Sequence, residues 1–156
     1  MKYTYLCRKY NPYDDFNLCP IVDETEMLSS PACLHIFENK VSSEKYCVIS
    51  DCIGSPMPCL SVDGEFVVGT SHYVYFINIS SRKIVHRFLL HSPCIVLLTA
   101  HNKTIAICEN DVLVITYQNK SIIGEFSFND IIIDYTLDEN CLVLHLMEGE
   151  ESVINL

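Results

Sequence analysis

The chain has 156 residues, 49% hydrophobic and 19% charged, which suits one folded domain and is too apolar for a disordered segment. Ten Lys and Arg stand against twenty Asp and Glu, and a net charge of −10 argues against direct nucleic-acid binding. The opening MKYTYLCRKYNPYDD lacks the apolar core of a signal peptide. No stretch approaches the roughly 18 apolar residues of a membrane span. A cytoplasmic protein with no membrane partner is expected.

Residues 1–56 contain three strand-like runs, KYTYLC, CLHIFE and KYCVIS, around a polar stretch over 21–30 where a short helix is one option. This segment is expected to cover an exposed sheet edge, since uncovered edge strands invite association.

From about residue 59 the sequence becomes short β-branched or aromatic runs separated by turn residues. The runs are EFVVGT, HYVYFINI, KIVHRFLL, CIVLLTA, TIAICE, VLVITYQ, SIIGEFSF, IIIDYTL, CLVLHLME and SVINL. Between them lie Asp63-Gly64, His101-Asn102-Lys103, Glu109-Asn110-Asp111, Gln118-Asn119-Lys120, Asp138-Glu139-Asn140 and Glu148-Gly149. Val, Ile, Tyr and Phe fill the runs while Asn, Asp and Gly fill the gaps, which is the signature of antiparallel strands joined by tight turns. No helical period appears in this part of the chain, so an all-β meander is expected.

The runs also repeat. PCLSVDGEFVVGTSHYVYFINISSRKIVHRF aligns with PCIVLLTAHNKTIAICENDVLVITYQNKSIIGEF, and then with NDIIIDYTLDENCLVLHLMEGEESVINL. Phe88 and Phe126 are 38 apart, Pro58 and Pro93 35 apart, and the turns at Asp63, Asn102 and Glu139 are separated by 39 and 37. A period near 37 with four strands per unit resembles a β-propeller blade of the tryptophan–aspartate or kelch kind. The resemblance is one of pattern: the chain has no Trp and hence no Trp-Asp dipeptide. It implies a single domain with blade-like repeats at 57–90, 91–128 and 129–156, forming a partial or open propeller.

Motifs that would carry catalysis are missing. The nine cysteines are an odd number, and Cys94, Cys108 and Cys141 sit inside apolar runs, where reduced thiols pack as small hydrophobes. Cys47, Cys52 and Cys59 could form at most half of a zinc site, and no C-x-x-C occurs, so no metal is expected. His35, His72, His86, His91, His101 and His145 are scattered, no G-x-S-x-G is present, and the five glycines form no phosphate-binding loop. The three N-x-[ST] sequons, at Asn78, Asn102 and Asn119, read as chance matches. Neither a catalytic centre nor a cofactor is expected.

What remains is charge. Residues 1–104 hold nine bases and ten acids, whereas residues 105–156 hold Lys120 alone against ten acids, a net of −9. Glu109, Asp111, Asp130, Asp134, Asp138, Glu139, Glu148, Glu150 and Glu151 recur in or beside turns, and a negative rim at one end of the sheets is expected to bind a basic protein. Small size, acidity and the lack of catalytic motifs resemble, in general profile, the immunity proteins of contact-dependent growth inhibition and polymorphic toxin systems. That resemblance implies an inhibitor that occludes the cationic cleft of a toxin nuclease. The other reading is a propeller-like scaffold or adaptor that docks peptides or self-assembles, a homodimer among its options.

Overall fold

The computed structural model describes residues 3–9, 33–43, 45–50, 58–62, 64–81 and 83–156. Among them all regular structure is strand, fourteen in number. The possible helix at 21–30 lies outside the described residues. No helix among the described residues is long and apolar enough to cross a membrane.

The strands form four antiparallel sheets, each a meander in chain order. The first holds β1 (Tyr3–Lys9), β2 (Cys33–Asn39) and β3 (Lys45–Ser50). The second holds β4 (Cys59–Val62), β5 (Glu65–Gly69), β6 (Tyr73–Asn78) and β7 (Lys83–Leu89). The third holds β8 (Cys94–Ala100), β9 (Lys103–Cys108), β10 (Asp111–Thr116) and β11 (Ile122–Ser127). The fourth holds β12 (Ile132–Leu137), β13 (Cys141–Leu146) and β14 (Glu151–Asn155). The three runs read from residues 1–56 are thus the strands of a further sheet.

The core is divided among the gaps between successive sheets. Between the first and second, Phe37 packs on Phe66, Val68, Tyr75 and Ile77, its ring edge-on to Phe66 at 5.1 Å. Between the second and third lie Val67, Val74 and Phe76 against Leu97, Ala106, Leu113 and Ile115. Between the third and fourth lie Ile105, Ile107, Val112 and Val114 against Leu142, Leu144, Leu146 and Ile154. Residues alternate between the two faces of a strand, so a sheet covered on both sides must be apolar at nearly every position. The central strands of the third sheet fit this: Thr104–Cys108 and Asp111–Ile115 are buried without interruption. The fourth sheet does not. In β13 Leu142, Leu144 and Leu146 are buried while Cys141, Val143 and His145 are partly exposed, so one face alone is covered.

Hydrogen bonds show the repeat to be 38 residues with single-residue slips. The Ile79 amide donates to the Gly64 carbonyl at 3.0 Å, Tyr117 to Asn102 at 3.0 Å, and Leu156 to Asn140 at 2.9 Å, one closing bond in each of three sheets. Leu90 to His72 and Phe128 to Asn110, both 2.8 Å, repeat the same step at the other end. The β8–β9 turn is tight enough that His101 and Asn102 both take positive φ, 46° and 61°, a geometry that Asn accepts readily. Gly69 serves packing instead: a Cβ there would lie 2.5 Å from the Cys94 sulfur of the next sheet.

Candidate functional site

Each sheet has two ends, and the turns sort the acidic residues between them. The β9–β10 and β13–β14 turns and the β11–β12 connector lie at one end, and the β8–β9, β10–β11 and β12–β13 turns at the other. The first end gathers Glu109, Asp130, Glu148 and Glu150, with Glu151 opening β14. Asp138 and Glu139 sit in the β12–β13 turn at the opposite end, so the single rim expected from the sequence is divided. Asp134 lies within β12 on the uncovered face of the fourth sheet.

Asp111 departs further from the expected rim. It is 8% exposed, and its Oδ2 accepts a 2.7 Å hydrogen bond from Ser92 Oγ in the β7–β8 connector. The same Ser92 oxygen accepts the Asn110 amide at 3.3 Å. Thirty-eight residues on, Asp130 Oδ2 accepts the Glu148 amide at 2.7 Å. The β7–β8 and β11–β12 connectors thus each place a polar side chain on the middle turn of the sheet they introduce, and Asp111 and Asp130 are engaged in holding those turns. Glu109, Glu148 and Glu150 are exposed.

The acidic end is not uniformly polar. The Ile132 amide donates to the Glu109 carbonyl at 2.7 Å and the Met147 amide to the Ile131 carbonyl at 2.9 Å, which ties the three turns together. Ile131 and Met147 consequently stand exposed beside Asp130 and Glu148. Exposed apolar side chains among unpaired carboxylates offer a surface for a chain that is both cationic and apolar. At the other end the Asp138 carboxylate accepts the Glu139 amide at 2.9 Å, and the His101 ring is hydrogen-bonded to the Glu139 carbonyl.

Between the second and third sheets, Glu65, Asn102, Tyr117, Gln118 and Lys120 line a cavity of about 310 Å³. Its cation is already satisfied: Lys120 Nζ lies 2.7 Å from Glu65 Oε2 and donates to the Tyr117 carbonyl at 2.7 Å. The cavity therefore offers little attraction to an anion.

Two of the described thiols, Cys59 and Cys94, are held in the protonated form. Cys47, Cys59, Cys94, Cys108 and Cys141 are not joined in disulfides. Burial pushes Cys59 up to about 11, and the hydrogen bond to Cys108, together with burial, holds Cys94 well above the ordinary thiol range. Among the described residues no cluster of three His, Cys, Asp or Glu could hold a metal ion.

No family model matches this sequence, and no curated protein does. Solved structures do match. Sqt1 of Saccharomyces cerevisiae superposes with a TM-score of 0.62 at 14% identity, over 80% of this chain and 41% of that one. The computationally designed protein Ika4 gives 0.60 at 11% identity, over 87% of this chain and 97% of its own. The β-propeller domain of Cps50 (Swd1) from Myceliophteria thermophila gives 0.50 at 11%, over 65% and 38%. The chain thus spans less than half the length of Sqt1 and of the Cps50 domain. The shared feature is the fold: the four sheets are blades, and the chain is an open, β-propeller-like succession of them.

Proposed function

We propose that this protein is a non-catalytic scaffold that holds a basic protein partner against the acidic end of its third and fourth blades. The observation behind this reading is the juxtaposition of Glu109, Glu148 and Glu150 with exposed Ile131 and Met147, on turns bonded to one another through the backbone. Carboxylates at such a surface raise the encounter rate with a cationic chain, and the apolar pair supplies contact area once it has docked. Turns carried on a rigid scaffold are common places for recognition residues, which supports a binding role. The narrower reading, an immunity-type inhibitor of a basic nuclease, is supported by acidity alone.

Pull-down from the source organism at low and high salt tests the proposal. Replacing Glu109, Glu148 and Glu150 by Lys should abolish capture of the partner, while D138K/E139K at the far end should leave it intact. Equal capture by both variants would reduce the acidic end to a solubilising surface.

A further inference from the structure

Every blade turns one face forward, to the blade that follows, and one face back. The second blade's forward face is Leu60, Val67, Val74 and Phe76, and the third's is Leu98, Ile105, Ile107, Val112 and Val114; each is covered by the next blade. Register assigns the fourth blade's forward face. Thr136, Val143 and Val153 form one row across its strands, and Asp134, His145 and Glu151 form the row nearer the β13–β14 turn. No core cluster among the described residues includes this face, and Val153 is 60% exposed.

The first blade has a partly exposed face of its own. Phe37 points forward to the second blade, so the alternate residues face back. Leu6 and Ile36 stand opposite each other in one row, which Cys47 continues on β3 at only 2% exposure, and Glu38 and Lys45 occupy the row nearer the β2–β3 turn. Leu6 is 55% exposed, and the Lys45 ammonium lies at the surface 4.0 Å from the Glu38 carboxylate. The two faces share one order, a charged row beside the middle turn and an apolar row two residues further in. Stacked as the other blades are, they would set Val143 and Val153 against Leu6 and Ile36, and Asp134 and Glu151 beside Lys45.

We propose that the forward face of the fourth blade receives the backward face of the first blade of a second copy, so that two copies close one ring through two such contacts. Two sets of four blades make eight, at the upper end of the usual four to eight. The charged row explains why the fourth blade replaces the apolar Val96, Ile107 and Val112 of the third blade by Asp134, His145 and Glu151. A face that must stay soluble until its partner arrives is better made partly polar.

Sedimentation equilibrium of the full chain over a wide concentration range tests this. A closed pair predicts twice 17.8 kDa with no larger species. V153D and L6D should each dissociate it with unchanged circular dichroism, because both sites are exposed. K45E should weaken the pair, and adding E151K to K45E should restore it, a rescue that damage to the fold would not give. A monomer at every concentration, open-ended polymers, a dimer that survives L6D and K45E, or a K45E defect that E151K leaves unrepaired would overturn the proposal.

Discussion

Lys120 Nζ of the third blade lies 2.7 Å from Glu65 Oε2 of the second, with the two side chains only 12% and 16% exposed. The ion pair is completed by the Phe76 and Tyr117 rings at 5.0 and 5.4 Å from the ammonium. Lys120 is also the one Lys or Arg of residues 105–156, and it is spent inside the fold.

Removing one member of that pair strands the other. Lys120→Ala should destabilise the protein by about 3 kcal/mol, since a buried carboxylate loses its counter-charge. E65Q/K120M should cost less than the sum of its single substitutions. Urea denaturation of the four proteins in the cycle measures the coupling.

Gly69 should tolerate no side chain. The added Cβ of Gly69→Ala would meet the Cys94 sulfur at 2.5 Å and its Cβ at 2.8 Å, across the gap between two blades. Overpacking of this kind costs about 1–3 kcal/mol. Cys94→Gly in the same chain should recover part of the loss, which thermal melts would record.

Ser92 should matter more than a small hydroxyl residue usually does. Ser92→Ala leaves the buried Asp111 carboxylate without its 2.7 Å donor and the Asn110 amide without its acceptor. A loss of about 1–3 kcal/mol is expected. S92A/D111A should be less harmful than the two single losses added, again by denaturant titration.

Alkaline stability should depend on Cys59. Its thiol ionises at about 11 in the fold against 9.0 in the open chain, so between those values the folded state holds the proton more firmly. The resulting contribution is whole below pH 9.0 and is lost as pH rises towards about 11. Cys59→Ala should flatten the decline in that window relative to wild type. An identical slope in the two proteins would contradict the assignment.

Strands were legible because period and composition agree locally: runs such as TIAICE and VLVITYQ became β9 and β10, and the gap at His101-Asn102 became a turn with two positive φ values. The repeat was legible too, blurred by single-residue slips between units such as the step of 38 from Ile79 to Tyr117 and of 39 from Tyr117 to Leu156. What escaped lies between units. Asp111 looks like a solvated turn acid until Ser92, 19 residues earlier, is brought beside it by the connector. Lys120 looks like a surface turn lysine until stacking sets it on Glu65 of another blade. The division of the acids between two ends follows from which turns fall on which side, a count that needs every strand placed. One signal was readable: in CLVLHL apolar and less apolar residues alternate, whereas TIAIC runs unbroken, and that marks the blade with a single covered face.

Among the described residues each gap between blades is filled by its own cluster, and the β11–β12 connector repeats the bonds of the β7–β8 connector 38 residues on. A gene built this way can lengthen by duplicating one segment, because a new unit meets the same surfaces that the old one met. Inner units, gripped on two sides within one chain, should resist amide exchange at any concentration, whereas protection of the first and fourth blades should rise as the ring closes.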